Sequence, residues 1–364
     1  MVSPTNARAD DDGPEVIEEG GLTKIRLLPP GEDNPRNSEG DFVTLEDGQI
    51  MFVYTHFTGT SGSDFAPAHL AARYSSDGGY TWTDEDVTVV PNEGANNVMS
   101  VSMLRLQDGR IALFYCRKNS NQDCHMYMRT STDEAQTWSE PQLCIPEDGY
   151  FVVNNDRVMQ LDSGRLIVPA ARHNEPGGEW HGGIAMCFFS DDAGETWHKS
   201  NEILPPEGLS SGLQEPGVIA LRDGRLMMLC RTSGGCQYRS YSQDDGETWS
   251  PAQPTGIISP VSPATFERIP QTGDILMAWN DHSDIDPELE GKRTPYTVAI
   301  SRDEGQTWEN VKVIDDDPMG WYCYTAMHFV EDHVLLGHCA GDRRVMGGLD
   351  LIQITIFDVD WLYE

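Results

Sequence analysis

A short motif recurs five times along this chain and ends each time in tryptophan. Successive tryptophans are 56, 59, 52 and 59 residues apart. The copies are SSDGGYTW at 75–82, STDEAQTW at 131–138, SDDAGETW at 190–197, SQDDGETW at 242–249 and SRDEGQTW at 301–308. Recurrence at this period predicts a repeat architecture, in which each unit buries its apolar face against its neighbours. We expect the motif itself to be structural: its Ser and Asp hydrogen-bond a tight turn, its Gly adopts positive φ and its Trp packs between sheets.

A β-hairpin is predicted before each tryptophan motif, because a Gly-containing turn is flanked there by apolar runs. The turn glycines are Gly48, Gly109, Gly164, Gly224 and Gly273, and a sixth, degenerate copy has His333 at the glycine position. An unpaired strand near the N-terminus (22–29) and an alternating strand at the C-terminus are expected to share one blade, which removes exposed sheet edges. The pattern predicts an all-β fold, a six-bladed β-propeller of four-stranded blades. Residues 22–364 would form this domain, and residues 1–21 an N-terminal extension that can be flexible.

The composition of the chain disfavours several classes of binding partner and a metal site. The chain has 59 acidic and 25 basic residues, a net charge of −34, so nucleic acid and anionic membranes are poor partners. No apolar stretch is long enough for a membrane span. The eight cysteines form no CxxC pair and no Cys/His cluster at metal spacing, so we expect no metal and no cofactor. The N-terminus has no apolar core of signal-peptide type, which leaves open an intracellular protein or a secreted one whose signal has been removed. The sequence does not indicate the oligomeric state.

Polar residues recur where the innermost strand of each unit should face the axis. Counting nine residues back from each turn position gives Glu39, Ser100, Asn155, Glu215, Ala264 and Tyr324. A core register would show aliphatic residues there, and buried polar groups are costly unless they are satisfied or functional. We therefore expect a ligand site at the mouth of the axial channel. A water-filled channel without chemistry is the alternative.

The tryptophan motifs look like the Asp-boxes of the sialidase (neuraminidase) superfamily, and the resemblance extends from about residue 25 to the end of the chain. That family folds as a six-bladed propeller and uses a Tyr–Glu pair as nucleophile, an exception to the two-carboxylate rule for glycosidases. The segment SSGLQEPGVIALRDGR is similar to the family's Glu-bearing blade, and GWYCYTAMHF to its Tyr-bearing one. The resemblance thus implies Tyr324 as nucleophile and Glu215 as its base.

The resemblance also implies a set of substrate-binding residues. The family holds the substrate carboxylate with three arginines, and bidentate pairing explains why arginine is needed. Arg231 and Arg293 fit two of them. The first carboxylate-binding arginine of the family lies in an Arg-Ile-Pro motif, which is missing from this chain. Arg36 or Arg157 can take the place of that arginine. A Gly/Ser-rich loop carries Asp64 at the place of the general acid, where burial would raise its pKa. Further substrate-binding candidates come from the residue pattern and not from the resemblance: Glu39 and Asn155 from the count back from the turns, and the polar residue His173.

These residues predict a retaining exo-glycosidase of sialidase type, which cleaves a terminal sialic acid or related 2-keto acid sugar from a glycan or glycoconjugate. Two alternatives stay open. The same scaffold can act on another sugar, such as a uronic acid or a deoxy sugar, which the missing Arg-Ile-Pro motif favours. A non-catalytic glycan-binding propeller is the other, although it leaves the Tyr324 and Glu215 coincidence unexplained.

Overall fold

The structure, a computed structural model, describes residues 13–345 and 347–364. The strands of the first part are β1 (Glu15–Glu19), β2 (Leu22–Leu28), β3 (Asn37–Thr44), β4 (Ile50–Phe57), β5 (Ala68–Ser75), β6 (Val87–Val90), β7 (Asn97–Arg105), β8 (Ile111–Ser120) and β9 (Asp123–Ser131). They are followed by β10 (Gln142–Leu143), β11 (Tyr150–Val152), β12 (Met159–Gln160), β13 (Leu166–Asn174), β14 (Ile184–Ser190), β15 (His198–Lys199), β16 (Gln214–Ala220), β17 (Leu226–Arg231) and β18 (Cys236–Ser242). The last are β19 (Gln253–Ile258), β20 (Thr265–Arg268), β21 (Ile275–Trp279), β22 (Tyr296–Ser301), β23 (Glu309–Asp315), β24 (Gly320–Val330), β25 (His333–Asp342) and β26 (Ile352–Asp358), with short 3₁₀ helices at Pro287–Leu289 and Val359–Tyr363.

The all-β prediction is confirmed, but the prediction of six separate four-stranded blades is wrong. Among the described residues, the strands form five hydrogen-bonded sheets, of five, nine, four, four and four strands. The nine-stranded sheet combines the second and third repeats, because the short strand β11 pairs in parallel with β9 and antiparallel with β13. The third repeat has no continuous inner strand: residues 153–158 separate β11 from β12. Its Asn-Asn-Asp segment interrupts the ladder, with Asp156 at a φ of 54°.

The two ends of the described chain meet in the five-stranded sheet. Strand β2 pairs antiparallel with β26, the closure expected from the unpaired N-terminal strand. Part of the expected 1–21 extension belongs to the same sheet, because Glu15–Glu19 form β1 and pair with β2. Residues 1–12 of that extension lie outside the described residues. Among the described residues, no helix has the length and apolarity that a membrane crossing requires.

The tryptophan motifs are turns held by their own side chains, as the sequence predicted. In the copy at 190–197, the Ser190 hydroxyl accepts a hydrogen bond from the Gly194 amide at 2.8 Å. The Asp192 carboxylate accepts from the amide and the hydroxyl of Thr196, at 2.8 and 2.6 Å. The Trp197 indole donates to the Gly194 carbonyl at 3.0 Å and is buried against Phe114 of the same nine-stranded sheet. Because these groups satisfy each other, the motif holds its own turn.

The innermost strands pack against one another around the axis: β3 contacts β7 and β24, and β20 contacts β16 and β24. The antiparallel register of four of these strands shifts at one place, between Ser38 and Asp41, Met99 and Ser102, Gln214 and Gly217, and Cys323 and Ala326. At these bulges Glu39, Ser100, Glu215 and Tyr324 have positive φ, between 44° and 61°. A bulge re-aims a side chain, and non-glycine residues with such φ values concentrate at functional sites. The bulges therefore turn four polar side chains from the strands toward the axis.

Candidate functional site

One end of the axis opens into a cavity of about 360 Å³, here called the mouth cavity. Seven of the catalytic and substrate-binding candidates from the sequence line it: Glu39, Asp64, His173, Glu215, Arg231, Arg293 and Tyr324. They come from the bulges, from the ends of β13 and β17, and from the loops that precede β5 and β22. Residues more than 280 positions apart in sequence thus share one cavity, which is what a catalytic or binding site requires.

Tyr324 and Glu215 both line the mouth cavity. Burial raises the pKa of Tyr324, and the negative charge of Glu215 raises it further, against the opposing charges of Arg293 and Arg231. The phenol is therefore protonated at neutral pH, and it needs a base before it can attack. Glu215 can serve, because its Oε1 accepts from Arg231 at 2.7 Å while its buried Oε2 has no hydrogen-bond partner.

Two arginines bring unpaired donors to the mouth cavity. Arg293 is 6 % exposed, and its Nε and Nη1 atoms have no hydrogen-bond partner. Its guanidinium carbon lies 5.0 Å from the centroid of the Tyr324 ring. Arg231 uses Nη1 for Glu215, and its Nε has no partner. A buried donor without a partner is costly, so this set of groups fits an anionic acceptor, and an arginine fork matches a carboxylate best.

The sequence analysis expected a raised pKa for Asp64, the acid on the loop before β5, and the structure shows the opposite shift. Arg36 donates to its Oδ1 at 2.5 Å. Although burial acts to raise the pKa of Asp64, the charge and hydrogen bond of Arg36 prevail and lower it. The expectation of a raised pKa is therefore wrong in this arrangement, since Asp64 is ionised in an ion pair.

Glu39 is the neighbouring carboxyl group with the opposite shift. It accepts from Arg36 at 2.9 Å and from the Ser100 hydroxyl at 2.6 Å. Burial raises its pKa, and the charge of Asp64 adds to the rise, against the opposing charge of Arg36. Arg36 thus holds two carboxyls, and its Nε donates to Ser38. It does not line the mouth cavity, so it is not placed to hold a substrate carboxylate as the sequence suggested.

Arg157 and Asn155 also lie elsewhere. Arg157 lines a second cavity, of about 650 Å³, together with Asp41, Asp156 and Glu267. Its Nη2 donates to the Ala264 carbonyl at 3.0 Å, which ties the third repeat to the fifth. As a result, Arg157 is not available to the mouth cavity as a carboxylate-binding arginine. Asn155 is fully buried, and its amide donates to the carbonyls of Gly40 and Tyr324, so it holds the inner strands together rather than facing a ligand.

Other residues of the mouth cavity were missed from the sequence. Lys118, Tyr150 and Trp180 line it, although none of them lies nine residues before a turn position. His173, which was selected, stacks on Trp180 with ring centroids 5.0 Å apart and planes 16° apart. Burial lowers the pKa of His173, so its imidazole is neutral at pH 7. Lys118 lies nine residues after its turn glycine, Gly109, whereas the repeat count ran only backwards from the turns; the same count in the forward direction reaches it.

Comparisons with known proteins identify the family. Residues 93–336 match the model of the BNR repeat-like domain. A sialidase from Micromonospora viridifaciens is 25 % identical over 303 residues, which cover 72 % of this chain and 43 % of the relative. A sialidase from Paraclostridium sordellii is 26 % identical over 313 residues, 71 % of this chain and 70 % of the relative. The NanB sialidase from Streptococcus pneumoniae shares the fold, with a TM-score of 0.72 at 15 % identity over 92 % of this chain and 71 % of that one. This chain therefore spans less than half the length of the Micromonospora relative.

Proposed function

Because the chain belongs to the BNR repeat-like family of the sialidase superfamily, we propose that it is a retaining exo-glycosidase that releases a terminal sialic acid, or a related 2-keto acid sugar, from a glycan. One observation carries the proposal: the unpaired donors of Arg293 and Arg231 line the same cavity as the half-buried Tyr324 and the carboxylate of Glu215. A 2-keto acid sugar carries its carboxylate on the carbon that reacts. The groups that would bind the acid thus lie next to the groups that would perform the chemistry.

In the proposed reaction the arginines hold the carboxylate and Tyr324 attacks the anomeric carbon. Glu215 takes the phenolic proton, for which its unpaired Oε2 is suited. A neutral phenol also avoids the repulsion that a carboxylate nucleophile would meet from the substrate's own negative charge. Water then releases the sugar from the tyrosine with retention of configuration, as in other double-displacement glycosidases.

The leaving oxygen needs a proton, and we assign its delivery to Asp64. Asp64 lies in the loop before β5 and lines the cavity. Because Arg36 lowers the pKa of Asp64, the account requires that substrate binding weakens this ion pair. Glu39 is the alternative donor, since its pKa is raised and it lines the same cavity.

The test is hydrolysis of a panel of aryl glycosides. An α-sialoside should be turned over with retention, whereas uronides and deoxy-sugar glycosides should not. Turnover of a uronide alone would favour the same scaffold acting on another sugar acid. Binding of sialosides without turnover of any substrate would favour a glycan-binding protein and contradict the proposal.

A further inference from the structure

Two cysteines face each other across neighbouring strands beside the proposed nucleophile. Cys323 directly precedes Tyr324 in β24, and it lies opposite Cys339 of β25 in the antiparallel register. Both cysteines are buried, and both are free thiols. Opposite residues of an antiparallel pair have Cα atoms about 4.5–5.5 Å apart, within the range of about 4.4–6.8 Å that a disulfide spans. The backbone therefore already allows a bond between the two sulfur atoms.

The register distinguishes this pair from Cys116 and Cys124, whose thiols also interact with each other. Cys116 lies opposite Met126, and Cys124 lies opposite Lys118, so these two cysteines are diagonal neighbours. Diagonal neighbours are about 7–8 Å apart, beyond the Cα separation that a disulfide bridges without backbone movement. Of the two pairs, Cys323 and Cys339 are therefore the one whose backbone positions suit a disulfide.

The two thiols differ in acidity, which suits them to different roles in an oxidation. Burial acts to raise the pKa of Cys323, but a hydrogen bond from Cys339 and the charge of Arg293 prevail and lower it. The same hydrogen bond, together with burial, raises the pKa of Cys339. Because the thiolate is the attacking form of cysteine, Cys323 reacts first and Cys339 second. Arg293 lines the mouth cavity, so Cys323 lies directly behind the cavity surface.

A disulfide at this position would move groups of the mouth cavity. Cβ atoms of opposite residues are about 4.5–5.5 Å apart, whereas a disulfide holds them about 3.8 Å apart, so the strands must close by roughly 1 Å. The register of β24 shifts directly after Cys323, at the bulge that carries Tyr324. On the other side of Cys323, the Tyr322 amide donates to the Arg293 carbonyl at 2.9 Å. A displacement of Cys323 therefore reaches both Tyr324 and Arg293.

We propose that Cys323 and Cys339 are a redox-active dithiol, which hydrogen peroxide converts into a disulfide that lowers turnover at the mouth cavity. The Cys323 sulfur attacks one peroxide oxygen, the O–O bond breaks, and the other oxygen leaves as water with the thiol proton. The Cys339 sulfur then attacks the Cys323 sulfur, the S–O bond of the sulfenic acid breaks, and hydroxide leaves as water with the Cys339 proton. Two thiols and one peroxide thus give one disulfide and two waters. The loss of turnover rests on the proposed function, whereas the disulfide itself does not.

The experiment treats the reduced full chain with hydrogen peroxide and measures intact mass, a peptide map and hydrolysis of an aryl sialoside in the same samples. We expect the mass to fall by two hydrogen atoms, with the bond mapped to Cys323 and Cys339. We expect kcat/KM to fall by about 10- to 100-fold, because a misplacement of about 1 Å can cost that much. Glutathione should reverse both changes, because a strained disulfide is more easily reduced than a structural one.

Two variants separate the bond from general oxidation. Cys339→Ala should form no disulfide and keep most of its turnover under peroxide. Cys124→Ala is the matched control, since it removes a buried thiol of the diagonal pair, and it should lose turnover under peroxide as the wild type does. An equal peroxide-induced loss in Cys339→Ala would overturn the inference. So would a disulfide mapped to Cys116 and Cys124, a disulfide that leaves kcat/KM unchanged, or one that glutathione does not reduce.

Failure of the proposed function has a different signature, in which the reduced wild-type protein hydrolyses no sialoside. The mass and the peptide map then decide whether the dithiol oxidises, and the absence of a bond between Cys323 and Cys339 overturns the inference. A crystal structure of the oxidised protein decides the effect on the site. Displaced Tyr324 and Arg293 side chains would support the inference, and unchanged positions of both would overturn it.

Discussion

Replacing Arg293 tests whether the mouth cavity recognises a carboxylate. Its Nε and Nη1 atoms are buried without partners. Because these two N–H groups point to opposite sides of the guanidinium, one carboxylate can accept from only one of them, and a charge-assisted hydrogen bond of this kind contributes about 1.5–3 kcal/mol. Since about 1.4 kcal/mol corresponds to a factor of ten, Arg293→Met should weaken binding by about 10- to 10²-fold. Arg293→Lys keeps the charge but loses the fork, and it should fall between Arg293→Met and the wild type.

The assay is calorimetric titration with an unsaturated sialic acid analogue and with its neutral carboxamide. The loss in Arg293→Met should be large for the acid and small for the amide, because the lost bond is to the charged group. Arg157→Lys is the matched control: Arg157 is 5 % exposed, against 6 % for Arg293, but it lines the second cavity. Thermal unfolding of each variant separates lost binding from lost structure. Equal losses for acid and amide in a folded Arg293→Met protein would refute the reasoning.

Three further predictions concern the acid, the fold and its pH dependence. Asp64→Asn should lower kcat/KM by about 10²-fold or more on methyl α-sialoside but far less on a nitrophenyl sialoside, whose leaving group needs no proton. If Glu39→Gln shows this pattern and Asp64→Asn does not, Glu39 is the proton donor. Trp249→Ala should cost about 3–5 kcal/mol in chemical denaturation, because Trp249 is 5 % exposed and donates to the Gly246 carbonyl at 3.0 Å, and the half-buried Trp138 should cost clearly less. Hydrogen bonds from the Thr196 hydroxyl and amide and from Ser190 lower the pKa of Asp192 to about 2. Ionised Asp192 therefore stabilises the fold above the unfolded-state pKa near 3.9, and this contribution is lost as the pH falls toward 2. Asp192→Asn should flatten an acid-unfolding curve in that range, and an unchanged curve would contradict the assignment.

The position of the site could be predicted because the chain repeats. Equivalent positions of a repeat lie at equivalent places in the fold, so a count from the turn glycines found Glu39, Glu215 and Tyr324 without coordinates. The structure adds the mechanism that the count lacked. These residues stand at bulges with positive φ, and neither strand propensity nor polarity indicates where a ladder will slip by one residue.

The failures have a common physical origin in contacts between distant segments. Arg157 was proposed as a substitute for the missing Arg-Ile-Pro arginine, yet it follows the Asn-Asn-Asp interruption of the third repeat and lines the second cavity. The protonation of Asp64 depends on Arg36, 28 residues away in sequence, at a distance that only the folded loop determines. The number of sheets could not be predicted either, because the three-residue strand β11, which joins two repeats, is too short to carry a periodic signal.

Covalent trapping tests the central claim most directly. A 2,3-difluoro sialic acid analogue reacts with a retaining sialidase through its nucleophile and then hydrolyses slowly, so the glycosyl-enzyme can be measured by intact-protein mass spectrometry. The account predicts a one-to-one adduct that peptide mapping places on Tyr324, and no adduct on Tyr324→Phe. An adduct on another residue, or a Tyr324→Phe protein that still hydrolyses an aryl sialoside at the wild-type rate, would contradict it.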